Sequence, residues 1–151
     1  MDTKVLIKKL LRENLLEIKD EWFKAYHGRY IFNVKQLYQL IASKKIPYSV
    51  KTYSPFILKQ YSHPDFSETN PEKLEKLRNQ IDYDKPLGLV VKFQDPESKE
   101  TEYILVDGNH RVRIAAENNM NGKLYVIDDP QIVNKVMKVN KKIPHELFHI
   151  D

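Results

Sequence analysis

The sequence predicts one mixed α/β domain: a small sheet with flanking helices, preceded by a helical extension. Its 151 residues suit a single domain of ordinary size. Amphipathic helical spacing fills the first half, and apolar, β-branched runs begin only after Asp84. From there the predicted order is strand, strand, helix, strand, helix, which is typical of a mixed α/β core. We expect residues 1–62 to form the extension, 63–140 the core and 141–151 a C-terminal tail.

The composition excludes several classes of protein. With 41% hydrophobic and 30% charged residues, the chain is typical of a globular protein rather than a disordered one. The absence of cysteine excludes disulfides, thiolate metal sites and a cysteine nucleophile. No apolar run approaches the roughly 20 residues that span a bilayer, and no secretory cleavage pattern is present, so we expect a cytoplasmic protein without membrane contact. The net charge of +4 permits an anionic partner, but the dispersed lysines favour a solvated mixed surface.

The first predicted element is a long amphipathic helix over residues 2–26, which Gly28 would end. Its apolar residues recur every three to four positions: Val5, Leu6, Leu10, Leu11, Leu15, Ile18, Trp22 and Phe23. We expect this stripe to pack on its own domain. Docking of a partner and service as a detachable leader remain open alternatives.

Three further helices are predicted from their start signals. Asn33 can cap a helix that Pro47 stops, and Ser54-Pro55 combines a cap with proline at the first helical position. Asn70-Pro71 repeats that pattern and begins a helix that reaches Ile81.

The second half is predicted to contain three strands and two helices. Residues 86–93, 102–106 and 123–127 are apolar and rich in β-branched residues, which predicts strands. The run over 102–106 is almost continuously apolar, so we expect that strand to be buried on both faces. Helices are expected over 110–119 and from Asp129-Pro130 onward.

The segment Asp107-Gly108-Asn109-His110-Arg111, between a predicted strand and helix, has the residue types of an anion site. Gly108 allows a sharp turn and close backbone approach, and Asn109 can cap the helix. The first N–H groups of that helix would then point at a ligand from its positive end. Arg111 supplies a guanidinium suited to phosphate, His110 a proton donor, and Asp107 a metal ligand or a partner that orients His110. The alternative is an ordinary strand-to-helix turn with a surface histidine and arginine.

With these motifs, residues 70–127 resemble the ParB/sulfiredoxin superfamily, which includes ParB N-terminal domains, sulfiredoxins, free-serine kinases and DGQHR-type proteins. Residues 70–81 are similar to the helix before the family core, and 86–91 to a core strand. Residues 103–116 are similar to its signature strand, glycine, basic motif and helix, and 123–127 to its closing strand. The resemblance implies a ParB/sulfiredoxin-like core whose loop contacts nucleotide phosphates, often with Mg²⁺.

At several positions this sequence differs from the motifs of the family. Asn109 stands where sulfiredoxins have their cysteine, so we do not expect sulfinic acid reduction. His110 replaces part of the ParB Gly-Glu-Arg-Arg motif and no helix-turn-helix segment follows, so a centromere clamp is not expected either. The motif is most similar to those of the DGQHR-type proteins, which are associated with DNA modification and nucleotide hydrolysis, and of the free-serine kinases, which phosphorylate a small molecule. The kinases use an acidic residue upstream of the motif as a base, for which Asp65, Glu68 and Glu72 are the candidates.

The first functional hypothesis is therefore a nucleotide-phosphate-binding protein that takes ATP, GTP or CTP with Mg²⁺. Gly108, Asn109, His110 and Arg111 would bind phosphate, with His110 and Asp107 as catalytic residues and Asp107 as metal ligand. Such a site could hydrolyse the nucleotide, transfer its phosphate or nick DNA. The alternative is a non-catalytic binding or regulatory module that acts on a protein or nucleic-acid partner.

Three other features of the sequence are weaker indications of function. His145-Glu146-Leu147-Phe148-His149 matches the zinc motif HExxH, but a catalytic site needs further ligands, so we expect a packing turn. His63 and Asp65, in a predicted turn, are candidates to lie near the Asp107–Arg111 loop. Several tyrosines alternate with basic residues along the sequence. Their rings either stack on nucleic-acid bases or fill the core. These tyrosines are Tyr26, Tyr30, Tyr38, Tyr48, Tyr53 and Tyr61.

Overall fold

The structure is a computed structural model that describes residues 22–25, 28–63 and 71–142. Within these ranges it has mixed α and β content, which confirms the predicted fold class. The strands are β1 (Trp22–Ala25), β2 (Tyr30–Asn33), β3 (Ser49–Tyr53), β4 (Pro86–Gln94), β5 (Thr101–Asp107), β6 (Gly122–Ile127) and β7 (Met137–Val139). The helices are α1 (Val34–Ala42), α2 (Pro55–Tyr61), α3 (Pro71–Gln80), α4 (Asn109–Glu117) and α5 (Pro130–Lys135).

The strands form two sheets. The smaller is antiparallel, in the order β1-β2-β7. The larger has the order β3-β6-β4-β5, in which β4 and β6 are parallel and the other neighbours antiparallel. Among the described strands, β3 and β5 are therefore the edges of the larger sheet.

Two apolar clusters cover the two faces of the larger sheet. On one face, α1 and β2 pack against Leu89, Val91 and Phe93 of β4. On the other face, α2 and α4 pack against Leu87 and Val90 of the same strand. Side chains alternate along a strand, so Val90 faces away from Leu89 and Val91. Leu87 shares the cluster of Val90 because the register of β4 is irregular between Pro86 and Gly88, and β4 thus serves both clusters.

The predicted burial of β5 on both faces is confirmed for its second half only. Ile104 and Val106 belong to the cluster beside α1, and Leu105 belongs to the cluster beside α2. Glu102 and Tyr103, which the sequence also assigns to the buried strand, are exposed. Both residues lie near the Thr101 end of β5, which is an edge strand among the described strands.

Several predicted helix starts are confirmed by their hydrogen bonds. The Asn33 side chain accepts the Gln36 N–H at 3.0 Å and caps α1. Ser54 caps α2, and Asp129 caps α5 through the Gln131 N–H at 2.9 Å. For α3, the expected cap Asn70 lies outside the described residues.

In its described part, the expected helical extension over residues 1–62 also contains three strands, β1, β2 and β3. Most of the predicted helix over 2–26 lies outside the described residues, but Trp22–Ala25 form β1 rather than helix. Pairing of Trp22 with Asn33 and of Ala25 with Tyr30 outweighs the helical spacing there. The helix predicted from Asp129-Pro130 onward ends at Lys135, and Met137 begins β7, which pairs with β2.

No helix in the described ranges is both long and apolar enough to cross a membrane.

Two glycines bring β4 into direct contact with the turn that precedes α4. A Cβ on Gly88 would overlap the carbonyl oxygen of Asp107, and a Cβ on Gly108 would overlap that of Leu87. Gly108 also has a φ of 87°, in the left-handed region that side chains rarely adopt. The glycine in the predicted anion motif is therefore required by the fold itself, whether or not a ligand binds.

Replacing Gly88 with alanine tests this contact. We expect Gly88→Ala to lower the free energy of unfolding by about 2–3 kcal/mol, because the added methyl group meets backbone that cannot move aside. Urea denaturation measures the change.

Gly122→Ala is the matched control. A Cβ there meets the ends of the Leu87 and Leu58 side chains, at 2.7 and 3.1 Å, and side chains can shift. We expect less than half of the Gly88→Ala effect. A Gly88→Ala protein as stable as the parent would contradict the proposed constraint.

Candidate functional site

The predicted anion motif lies where β5 ends and α4 begins. Gly108, with φ 87° and ψ 19°, occupies the N-cap position of α4, and the structure has no side-chain cap bond there. The first bond of the helix runs from the Val112 N–H to the Gly108 carbonyl at 2.9 Å. The N–H groups of Asn109, His110 and Arg111 thus belong to the first turn, where no preceding helical carbonyl exists to accept them.

Asn109 does not cap the helix as the sequence predicts. It is the first residue of α4, and its side-chain oxygen accepts the backbone N–H of His63 at 2.7 Å. The predicted proximity of His63 to this loop is therefore confirmed, whereas Asp65 lies outside the described residues. Asn109 connects the end of α2 to the start of α4.

Arg111 is buried, which contradicts the alternative of a surface arginine. Its side chain is only 9% exposed, and its Nη2 lies 3.4 Å from Oδ2 of Asp107. Charged hydrogen bonds are usually near 2.7–2.9 Å, so this ion pair is loose. The Nε atom of Arg111 is buried and has no hydrogen-bond partner among the residues that the structure describes. Such a buried donor without an acceptor is costly to the fold.

Tyr38 of α1 completes this buried cluster. Its hydroxyl donates to Oδ2 of Asp107 at 2.6 Å, the same oxygen that faces Arg111. Burial raises the pKa of Tyr38 well above its usual value, and the adjacent Asp107 carboxylate raises it further. The sequence offers two interpretations of Tyr38, base stacking or the core, and no motif in it indicates that Tyr38 reaches Asp107.

The position of Asp107 does not fit the predicted metal ligand. Its side chain is 9% exposed, and one oxygen already faces two donors. Mg²⁺ retains waters and needs oxygens that are open to them. Within the ranges 22–25, 28–63 and 71–142, no three His, Asp or Glu side chains form a group that could hold a metal ion. Asp107 instead fixes the orientation of Arg111 and Tyr38.

His110, the predicted catalytic residue, is half-buried in the first turn of α4. It thus shares that turn with the three N–H groups and with Arg111. Of the predicted upstream acids, Glu72 is exposed on α3, and Asp65 and Glu68 lie outside the described residues. The HExxH segment, at residues 145–149, also lies outside them.

A cleft of about 380 Å³ lies next to this junction, and sequence reasoning did not predict it. His63 connects the two: its ring Nε2 lies 2.8 Å from the Leu105 carbonyl, and the ring stacks on Phe23 with centroids 5.3 Å apart. Partial burial raises the pKa of the Glu102 carboxyl in the cleft wall. The lining residues are Phe23, Lys24, Ala25, Gln60, Tyr61, Ser62, His63, Glu102, Tyr103, Ile104 and Leu105.

Some of the tyrosines that alternate with basic residues lie in the core, and others are accessible for stacking. Tyr30 and Tyr38 are fully buried in the core, so they are not available to stack on bases. Tyr48 is 41% exposed, and Tyr61 lines the cleft. Tyr26 lies outside the described residues.

No family model matches the chain, and neither does any curated protein or solved structure. The resemblance to the ParB/sulfiredoxin superfamily therefore stays a prediction from the sequence.

Removal of the Tyr38 hydroxyl tests the buried cluster. We expect Tyr38→Phe to lower the free energy of unfolding at pH 7 by about 1.5–3 kcal/mol, because it removes a buried bond to a carboxylate. Since folding raises the Tyr38 pKa, the unfolded chain ionises first, near pH 10, and the parent loses stability above that pH. Tyr38→Phe lacks this loss, so the gap between the two proteins should narrow as the pH rises above 10.

Tyr48→Phe is the control, because Tyr48 is 41% exposed. We expect it to change stability by less than about 0.5 kcal/mol. Chemical denaturation at pH 7, 10 and 11 measures all three proteins. A gap between the parent and Tyr38→Phe that stays constant over this range would count against the buried Tyr38–Asp107 bond.

Proposed function

We propose that this protein binds the phosphate groups of a nucleotide at the start of α4. The observation that carries this proposal is the combination, in one helical turn, of a start without a side-chain cap and a buried guanidinium whose Nε lacks an acceptor. The nucleotide as the source of the phosphate comes from the resemblance described above.

The helix start supports the proposal through its main chain. The caps of α1, α2 and α5 each accept an N–H with a side-chain oxygen, whereas Gly108 has no side chain to do so. Phosphate oxygens are suitable acceptors for these N–H groups, and the helix dipole favours an anion at this end. Because Gly108 is held against β4, the N–H groups are preorganised and lose little entropy on binding.

Arg111 supports the proposal through its Nε donor, which has no acceptor among the described residues. Its Nη2 lies 3.4 Å from the Asp107 carboxylate, a long distance for a charged hydrogen bond. An incoming phosphate oxygen would give a buried donor the acceptor that it lacks, and that gain adds to the binding energy. Asp107 then acts as a positioning residue that holds the guanidinium beneath the first turn, with Tyr38 on the same oxygen.

His110 is the residue that we assign to proton transfer. It is half-buried in the same turn, so a phosphate at the first N–H groups would lie close to its ring. A protonated imidazole can donate to a phosphate oxygen and stabilise a leaving group. Hydrolysis of the nucleotide, in which water attacks phosphorus and the remaining nucleotide leaves, is the simplest reaction for this arrangement. Phosphate transfer would use another acceptor in place of water, and DNA nicking would use a DNA phosphodiester in place of the nucleotide.

Mg²⁺ does not enter the proposed binding step. The Asp107 carboxylate faces Arg111 and Tyr38, so the described residues do not fit a protein-held Mg²⁺. A nucleotide that brings Mg²⁺ on its own phosphates remains compatible with binding through the first turn of α4.

Titration with ATP, GTP, CTP and pyrophosphate, with and without Mg²⁺, tests the proposal. We expect at least one to shift the amide signals of Asn109, His110 and Arg111 in NMR spectra. His110→Ala should weaken that binding about tenfold, the equivalent of one lost charged hydrogen bond. If the protein is an enzyme, His110→Ala should also abolish phosphate release. A binding or regulatory module releases none in either form.

Arg113→Ala is the matched control. It removes a positive charge from the same helix, but Arg113 pairs with Glu117 at the far end of α4. We expect affinity within about twofold of the parent, because an exposed charge there has a weak and screened effect. Unchanged amide signals at residues 109–111 with every compound at millimolar concentration would refute phosphate binding at this site.

A further inference from the structure

The outer edge of β5 faces the cleft rather than another strand. Among the described strands, β5 has β4 as its single neighbour. The Leu105 carbonyl bonds to the His63 ring at 2.8 Å, and His63 belongs to the segment after α2 rather than to the sheet. We therefore infer that the main chain of Leu105 points away from β4 and towards the cleft.

The orientation of Leu105 determines that of the residues before it. In an antiparallel strand, the N–H and C=O of one residue point to the same side, and those of the next residue point to the opposite side. The register with β4 is regular from Val90–Leu105 to Gln94–Thr101. The main-chain groups of Tyr103 and Thr101 therefore point outward with those of Leu105, whereas those of Glu102 and Ile104 point to β4.

The open part of this edge is short and has a defined end. Thr101, Glu102 and Tyr103 are exposed, whereas Leu105 is only 1% exposed beneath the His63 ring. His63 thus closes the edge at Leu105. Among the described strands, none pairs with the outward N–H and C=O groups of Thr101 and Tyr103, which form two donors and two acceptors in a row.

The opposite wall of the cleft is formed by a second strand edge. Phe23, Lys24 and Ala25 of β1 all line the cleft, and within the described sheets β1 pairs only with β2. Consecutive side chains of a strand point to opposite faces, so three in succession line a cleft only when the strand presents its edge. The cleft therefore lies between the edge of the smaller sheet and the edge of the larger one.

We propose that this cleft takes an extended peptide segment of a partner protein, which adds to β5 as a further strand. Alternating donors and acceptors at strand spacing match an extended main chain better than a compact small molecule. The stacked rings of Phe23 and His63 and the side chain of Ile104 offer apolar contacts to alternate side chains of the peptide. This inference does not rest on phosphate binding at α4.

Hydrogen exchange measured residue by residue tests the proposal. In the full chain alone, we expect slow exchange at Glu102 and Ile104 and fast exchange at Thr101 and Tyr103. The probe is a capped heptapeptide of alternating threonine and valine with a lysine at each end. At about 1 mM, an ordinary concentration for weak binding, it should slow exchange at Tyr103 and Thr101 at least about tenfold. Exchange at Glu102 and Ile104 should stay unchanged.

A pair of variants separates the main chain from the side chain. Tyr103→Pro removes the outward N–H, a change that an edge strand tolerates, and Tyr103→Ala removes the same side chain but keeps the N–H. We expect Tyr103→Pro to bind the heptapeptide about fivefold more weakly than Tyr103→Ala, as the loss of one hydrogen bond predicts. Equal affinities of the two variants would overturn the proposal.

Two other outcomes would also overturn it. Slow exchange at Thr101 and Tyr103 in the protein alone would mean that this chain or a second copy already covers the edge. No change of exchange with the heptapeptide at millimolar concentration would mean that the cleft does not take a strand. Neither outcome bears on phosphate binding, which is measured at residues 109–111.

Discussion

The contact between two glycines, Gly88 on β4 and Gly108 before α4, is the constraint on which the candidate site depends. Neither position has room for a Cβ, so the turn after β5 lies directly against the central strand. This contact places Gly108 at a φ of 87° and fixes where α4 begins. The first-turn N–H groups therefore have one position relative to the sheet, which a binding site for a small anion requires.

The buried cluster beneath this turn connects the site to the rest of the fold. Tyr38 extends from α1 to Asp107, and Asp107 in turn holds Arg111. Removing one partner from such a cluster leaves a buried charge or dipole without compensation, so the three groups depend on one another. The helix that the sequence assigns to the extension thus supports the junction. Any ligand that binds there acts on a cluster that spans α1, β5 and α4.

Local signals predicted much of the second half of the fold, because β4, β5, β6 and α4 have strong apolar patterns and clear breaks. The strands β1, β2, β3 and β7 were not predicted, since each is short, with three to five residues, and depends on pairing with a strand distant in sequence or on a neighbouring strand of similar length. At the site, the glycine turn and the helix start followed from residue types. The burial of Arg111 and its connection to Tyr38 through Asp107 could not be predicted. Tyr38 and Asp107 are 69 residues apart in the sequence, and no local pattern encodes a contact between them.

A crystal structure with a non-hydrolysable nucleoside triphosphate would show directly whether phosphate binds at the start of α4. We expect phosphate oxygens about 3 Å from the N–H groups of Asn109, His110 and Arg111, within hydrogen-bond distance. We also expect the Arg111 Nε to gain one of these oxygens as its acceptor. A nucleotide bound elsewhere, with Arg111 still directed only at Asp107, would contradict the assignment of this junction as the phosphate site.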